Sequence, residues 1–312
     1  MYVFWNILLL AAFSVLSVSP ATAENPDDAS PASQVADSTD SKAVFEKSMQ
    51  KARQGDVKAQ HTVAQMYDNG IGVPQDDMEA VKWFRKAARG GYAPAQNNLA
   101  QMYLNGDGVR QSSKKAVQWF RRAAKQGYAP AQNNLGWLYG RGDGVRLDDD
   151  KAMNLHRRAA EQGYAPAQFM LGLLYYNGDG VGQSYKKAIK WFRSAADQGD
   201  ASAQFVLAVM YANGEGVDKD YKEAVKWFRL VTEHGLAWVQ FNLAVLYRNG
   251  YGVVRDQVRA YMWYSIAATN GVEKATQELS VLSKTLGDFE ISKARAMAKD
   301  CMESSYRQCG WD

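Results

Sequence analysis

A chain of 312 residues can form one or two globular domains or one elongated array of repeats. Glycine is frequent (26 residues) and proline scarce (7), which excludes a proline-rich linker protein and favours short helices with glycine-marked ends. The formal net charge of +4 at pH 7 is modest but uneven, because residues 24–40 contain five carboxylates and no base.

The first element is an apolar run from Tyr2 to Val18, followed by small residues at 21–23. This pattern predicts a secretory signal peptide over residues 1–23, cleaved after Ala23. The segment before the run contains no lysine or arginine, which leaves an uncleaved anchor as the alternative. The run is shorter than the ~20 residues that span a bilayer, so we expect cleavage and a periplasmic or secreted protein.

Residues 24–41 are poor in apolar side chains and rich in aspartate, serine, alanine and proline. Such a segment cannot bury enough surface to offset the entropy of ordering it. We therefore expect a disordered acidic tether between the signal peptide and the folded part.

From residue 57 the sequence repeats with a period of 36 residues. A glycine recurs at this exact spacing, as Gly70, Gly106, Gly142, Gly178, Gly214 and Gly250. A second glycine two positions later, one tyrosine and one glutamine keep the same spacing in every copy. A fixed period of this length is typical of solenoid proteins. Six full units are present.

Each unit is predicted to contain helix A, a glycine turn, helix B and a glycine stop. Helix B begins after an N-cap residue that is Asp76, Ser112, Asp148, Ser184, Asp220 or Asp256. Glu79 and Glu223 are predicted to complete capping boxes. A fixed alanine and a Trp–Phe pair predict tight packing of helix B, and the third unit replaces that pair with Leu155 and His156. A weaker interface is expected there.

Partial units flank the array. Residues 42–55 keep the frame of a lone helix B, which places the solenoid at 42–271. Residues 272–312 are predicted to form a half-repeat followed by a capping helix, because the last interface of a solenoid must be covered. Cys301 and Cys309 could form a disulfide in an oxidising compartment, and two free thiols are the alternative.

The segment "AQNNLAQMYLNGDGVRQSSKKAVQWFRRAAKQGYAPAQ" resembles the Sel1-like repeat, a relative of the tetratricopeptide repeat. The resemblance extends from Val57 to about Asn270. It implies an all-α fold, a right-handed α/α solenoid, and adaptor or regulatory work through a concave groove lined by helices A. Cysteine-rich relatives bind or hydrolyse β-lactams, but they carry a cysteine pair in every repeat and this chain carries none there.

No catalytic, metal or cofactor site is recognisable in the sequence. His61, His156 and His234 lie in different units without ligand spacing, and the Gly-x-Gly turns follow helices and lack a phosphate-loop ending. The Lys/Arg-rich surface of helix B is interpreted as a solvated face. We expect no nucleic-acid partner and no cofactor.

Three positions of helix A vary between units, at spacing i, i+4 and i+7, and therefore share one face. We predict that this face binds a protein or peptide through Asn97, Gln101, Leu104, Asn133, Trp137, Phe169, Leu173, Tyr176, Phe205 and Val209. Packing between helices is the alternative for the phenylalanines. The predicted function is an exported, monomeric, non-catalytic interaction scaffold, a cell-envelope regulator or an assembly or host-interaction factor. The alternatives are a β-lactam-binding or β-lactam-hydrolysing enzyme and a peptidoglycan- or glycan-binding protein.

Overall fold

A computed structural model describes residues 38–232, 234–307 and 309. The predicted signal peptide, its cleavage site at Ala23 and residues 24–37 of the predicted tether lie outside these ranges. The described residues contain fifteen α-helices and no strand, so the protein is an all-α solenoid of helical pairs. None of the described helices is both long and apolar enough to cross a membrane.

The helices follow one another with short connections. They are α1 Ser38–Arg53, α2 Val57–Asn69, α3 Asp77–Arg89, α4 Ala93–Asn105, α5 Ser113–Lys125, α6 Ala129–Arg141, α7 Asp149–Glu161, α8 Ala165–Asn177, α9 Tyr185–Ala196, α10 Ala201–Asn213, α11 Tyr221–Thr232, α12 Ala237–Asn249, α13 Gln257–Thr269, α14 Glu273–Leu282 and α15 Asp288–Glu303. Even-numbered helices from α2 to α12 are helices A, and the following odd-numbered helices are helices B.

The chain divides into two compact units near the end of α8. The first contains the described residues up to 174 together with 178–182, and the second contains 175–177 and the described residues from 183 onward. In the first unit a continuous core includes Val63, Phe84, Leu99, Phe120 and Leu138. In the second unit the largest fully buried side chains include Phe192, Phe228, Phe241, Trp263 and Tyr264.

The glutamine that recurs at the start of helix A joins it to the preceding helix B in five of the six units, the sixth, at Gln240, being the exception. In α4, Gln96 Nε2 donates to the Ala88 carbonyl at 3.0 Å, and Gln132 makes the same bond to Ala124 at 3.3 Å. The amide oxygen of Gln96 accepts from Gln126, thirty residues later, at 2.9 Å. One buried amide therefore satisfies a helix C-terminus and links successive units.

The six predicted N-caps of helix B are confirmed. Asp148 Oδ1, for example, accepts from the Lys151 amide at 2.9 Å, and Asp256 accepts from Arg259 at 2.8 Å. The capping boxes predicted at Glu79 and Glu223 are wrong. The N-cap amide of Asp76 already donates to the Tyr67 carbonyl at 3.0 Å, so the Glu79 carboxylate binds Lys82 instead.

The second glycine of each turn packs against a neighbouring unit. Gly108 has a φ of +58°, and a Cβ placed on it would overlap the backbone of Asp77 at the start of α3. Gly144 is related in the same way to Ser113 at the start of α5. Only a residue without a Cβ allows both the left-handed conformation and this approach. At Gly180 the nearest atom to such a Cβ is the Cβ of Asp149, at 3.5 Å, which is an ordinary contact.

Both aromatic residues of the pair contribute to the core of helix B, the phenylalanine more uniformly. Phe84, Phe120, Phe192 and Phe228 are fully buried, and Trp83, Trp227 and Trp263 are buried as well, whereas Trp119 and Trp191 remain partly exposed. Arg122 covers the outer face of Trp119, 4.3 Å from the ring centre. The tight packing predicted from the Trp–Phe pair therefore depends on both residues.

The two ends of the array are covered by partial units. Helix α1 occupies the place of a helix B, since Ala52 is buried and its carbonyl accepts from Gln60 Nε2 at 3.1 Å. It begins at Ser38, inside the segment expected to be a tether. At the other end α13 packs against both α14 and α15. Cys301 and Cys309 are joined by a disulfide that closes the chain after α15.

Candidate partner-binding surface

The ten predicted contact residues divide into two groups. Asn133, Phe169, Phe205 and Val209 are buried, whereas the others are partly exposed, namely Asn97, Gln101, Leu104, Trp137, Leu173 and Tyr176. Buried side chains cannot contact a partner without local unfolding. The buried group is therefore corrected from surface to core.

Packing within each unit explains the burial. The ring of Phe205 makes an edge contact with Phe228 of the following helix B, with ring centres 6.0 Å apart. In the third unit Asn133 Oδ1 lies 3.0 Å from His156 Nδ1 at the same place. In both units the first variable position of helix A therefore packs against helix B, as core residues do.

The polar residues of the early units form a ladder between adjacent helices A. Asn98 Nδ2 lies 3.1 Å from His61 Nε2, and Asn134 Nδ2 donates to Asn97 Oδ1 at 3.2 Å. Their polarity is therefore used inside the protein, because a buried amide needs a partner.

His61 and His156 are buried and neutral. Burial lowers the pKa of each imidazole from 6.5 to about 4. His156 Nε2 would lie 3.0 Å from a Cβ at Gly136, so this glycine makes room for the ring. Both histidines form hydrogen bonds to asparagines of the fold, and the described residues contain no cluster of three metal-binding side chains.

Asn242 occupies, in the sixth unit, the repeat position of Asn98 and Asn134. Among the described residues it forms no hydrogen bond to an adjacent helix A. Its side chain is fully buried, and neither amide atom has a hydrogen-bond partner among the described residues. A buried polar group without a partner costs about 1–3 kcal/mol. Val206 fills the equivalent position one unit earlier.

We expect Asn242→Val to raise the free energy of unfolding by about 1–2 kcal/mol, because it removes an unsatisfied amide. The matched change Asn98→Val should lower it by about 1 kcal/mol, because Asn98 bonds His61. Urea titrations followed by circular dichroism measure both values. Equal destabilisation by the two substitutions would contradict this account.

Five of the partly exposed residues lie in the first compact unit. We call them the helix A surface, comprising Asn97, Gln101, Leu104, Trp137 and Leu173. Gln101, Trp137 and Leu173 occupy one repeat position on successive helices A. Trp137 packs partly on the core, and Arg141 lies 4.5 Å from its ring centre. A partly exposed aromatic ring beside a guanidinium is typical of protein-binding surfaces.

Tyr176 belongs to the second compact unit and serves a local network. Its hydroxyl donates to Glu215 at 2.8 Å, and its ring lies 5.0 Å from that of Tyr185. Asn213 donates to the other oxygen of the same carboxylate at 2.8 Å. Burial, together with this carboxylate, raises the pKa of the tyrosine.

One local concentration of positive charge was not predicted from the sequence. Residues 108–142 contain seven lysines and arginines and no aspartate or glutamate. Counting charges along the chain, rather than along helix B alone, would have detected this segment. The arginine at position 121 also has a structural role, because it donates to the Tyr139 hydroxyl at 2.8 Å, and Arg85 bonds Tyr103 in the same way.

Helical pairs of 36 residues that stack through matched turns define the tetratricopeptide-like class of α-solenoids. Within that class the chain belongs to the Sel1 repeat family. The Sel1 repeat model matches six consecutive stretches, 57–92, 93–128, 129–164, 165–200, 201–236 and 239–272. Proteins of this family are generally non-catalytic scaffolds that mediate contacts between proteins.

Two solved structures are similar in sequence and fold. A Sel1 repeat protein from Oxalobacter formigenes is 34% identical with a TM-score of 0.65, and the match covers 69% of this chain and 89% of that one. The protein c5321, described as a protective antigen present in uropathogenic Escherichia coli strains, is 30% identical with a TM-score of 0.54. That match covers 84% of this chain and 65% of the other. No curated protein matches significantly.

Proposed function

We propose that this protein is an exported, non-catalytic scaffold that binds a protein or peptide across the helix A surface. The proposal rests on one repeat position of helix A, which Gln101, Trp137 and Leu173 occupy in three successive units. All three side chains are partly exposed. The repeat architecture does not require Trp137 or Leu173, since the other units have glutamine or valine there. Tryptophan is among the residues that supply most of the binding energy in protein interfaces.

Export is proposed from the N-terminal segment, with Ala23 as the cleavage site and the periplasm or the exterior as the destination. The resemblance to a protective antigen supports a host-facing or envelope role. The disulfide between Cys301 and Cys309 is compatible with an oxidising compartment. Regulation or assembly of an envelope protein is the work that such a scaffold would do.

The test is capture of crosslinked partners from cells that express the tagged protein. We expect the double variant Trp137→Ala/Leu173→Ala to reduce recovery of the main partner at least about tenfold, since truncating two central interface residues commonly costs more than 1.4 kcal/mol. Trp119→Ala, which also truncates a partly exposed tryptophan of the first compact unit, is the matched control and should retain the partner.

Thermal melting of all three proteins shows whether the variants are folded. Equal recovery from the wild type and the double variant, with both folded, would refute the helix A surface as the binding site. Loss of the partner from the Trp119 control as well would show that general destabilisation, rather than this surface, explains the result.

A further inference from the structure

An open cavity lies on the helix B side of the first compact unit. It is formed by α5, the end of α6, the following turn and the first residues of α7, and its volume is about 630 Å³. Four of its lining side chains are cations: Lys114, Arg121, Arg146 and Lys151. A single carboxylate, Asp148, also lines it.

The one carboxylate is already neutralised. Lys151 Nζ lies 2.6 Å from Asp148 Oδ2, and this bond holds the pKa of the carboxyl below its usual range. Arg121 donates to the neutral hydroxyl of Tyr139, so it keeps its positive charge. Among the described residues neither Lys114 nor Arg146 forms an ion pair, and both are exposed.

Each of these two cations recurs in only some units, and their combination is specific to this cavity. The position of Lys114 is Met78 in the first unit and Asp150 in the third but lysine again at 186 and 222, and that of Arg146 is Arg110 one unit earlier but Gly182 and Asp218 in later units. Residues 107–151, which include the whole lining of the cavity, contain nine bases and five acids. This part of the chain therefore carries an excess of positive charge, which attracts anions.

The lining is apolar as well as cationic. Val117, Val145 and Leu147 face the cavity, and Leu147 is 56% exposed although it is large and hydrophobic. A free inorganic anion would make no use of this apolar wall. A bilayer surface is wider and flatter than a cavity of this size. A peptide that presents carboxylates beside an apolar side chain matches both kinds of lining.

We infer that this cavity binds an acidic segment of a partner protein, with carboxylates at Lys114, Arg121 and Arg146 and an apolar side chain against Leu147. Arginine and carboxylate form strong charge-assisted hydrogen bonds, which are often bidentate. The site is separate from the helix A surface. Tyr139 and Trp137 are two positions apart on α6, a rotation of about 200°, so they point to opposite sides of the helix.

The experiment measures fluorescence anisotropy of a fluorescein-labelled peptide EELEEL added to the purified protein at low ionic strength. We expect saturable binding that weakens as salt approaches physiological concentration, because salt screens exposed charges. The uncharged peptide QQLQQL should not bind. Trp137→Ala should bind EELEEL as the wild type does, which separates this site from the proposed scaffold function.

Charge reversal in the cavity, Lys114→Glu/Arg146→Glu, should weaken EELEEL binding at least tenfold. The matched control is Lys186→Glu/Lys222→Glu, which makes the same change of net charge at exposed sites equivalent to Lys114 in later units. This control should change the affinity less than about threefold. Leu147→Ser should weaken binding of EELEEL but not of a leucine-free peptide, EEQEEQ.

Three results would overturn the inference. One is absence of EELEEL binding to the folded wild-type protein. Another is an equal loss in the two charge-reversed variants, which would reduce the effect to overall charge. The third is sedimentation of the protein with phosphatidylglycerol vesicles without any peptide binding, which would make the basic face a membrane-contacting surface.

Discussion

Acidification from pH 7.5 to pH 4.5 is expected to lower the free energy of unfolding by about 2–3 kcal/mol for each of two buried histidines. Burial lowers the pKa of His61 and His156 to about 4, against 6.5 in the unfolded chain. The unfolded chain therefore takes up protons first as the pH falls. Stability is fully present above pH 6.5, declines between pH 6.5 and about 4, and then levels off.

The variant Asn133→Phe/His156→Phe tests this expectation. It places two phenylalanines where Phe205 and Phe228 pack edge to face in a later unit, so no buried amide is left alone. Urea titrations at several pH values should show a loss on acidification that is smaller by about 2–3 kcal/mol than in the wild type. The loss that arises from His61 should persist in this variant, because that histidine is unchanged.

Asp68 contributes with the opposite sign. Burial, with Asp77 and Asp107 nearby, raises its pKa to about 6. The folded protein therefore binds that proton first, which adds stability as the pH falls below about 6 and offsets part of the histidine effect. For this reason the role of His156 is tested by the difference in pH dependence between the variant and the wild type, and not by the wild-type profile alone. An unchanged profile in the double phenylalanine variant would contradict the role given to His156.

Gly108→Ala is expected to lower the free energy of unfolding by about 3–4 kcal/mol. The left-handed conformation costs a Cβ-bearing residue about 1–2 kcal/mol, and overlap with a packed neighbour commonly costs about 1–3 kcal/mol more. A Cβ at Gly108 would overlap the Asp77 carbonyl, which lies in helix backbone and cannot rotate away. Gly144→Ala should behave in the same way.

Gly163→Ala measures the cost of the left-handed conformation separately from the cost of overlap with a neighbouring helix. Gly163 has a φ of +88°, yet nothing lies within 4 Å of the place where its Cβ would be. This substitution should cost only the conformational share, about 1–2 kcal/mol. Gly180→Ala should resemble it, since its Cβ would meet Asp149 at an ordinary distance. Equal losses at Gly108 and Gly163 in urea titrations would show that close packing of the turn contributes nothing.

The contacts of Gly180 also concern the packing of the third unit. The sequence predicts a weaker interface there because Leu155 and His156 replace the Trp–Phe pair. The structure adds that the turn at Gly180 approaches α7 less closely than the other turns approach their neighbours. His156 itself is well packed, since it is buried over Gly136 and bonded to Asn133. Any looseness at this unit therefore arises at the turn rather than at the histidine.

Most of the fold could be predicted because the signals are local and repeated. The glycine period, the N-cap residues and the apolar spacing each act within one or two helical turns, so six copies of the pattern define six helical pairs. The capping boxes were predicted wrongly for a tertiary reason. The Asp76 amide is taken by Tyr67, nine residues earlier, and the local motif cannot reveal this competition.

The candidate site was less predictable, because exposure depends on neighbouring helices. Variation between units pointed to one face of helix A, but it did not distinguish Trp137, which stays partly exposed, from Asn133, which is buried. The contacts of Asn133 with His156, and of Phe205 with Phe228, place these positions in the core, and no pattern along the chain reveals them. Variation between units is therefore compatible with core packing as well as with binding of a partner.

The sequence by itself determined the repeat, the start of each helix B and the family resemblance, because these depend on residue type and spacing along the chain. Only the tertiary structure decided which variable side chains face solvent, which glycines touch a neighbouring helix, and where unpaired cations gather around a cavity. Those properties arise from atoms about 30 to 36 residues apart, as in the approach of Gly108 to Asp77. Their distances are set by how units stack, and no pattern within one unit contains that information.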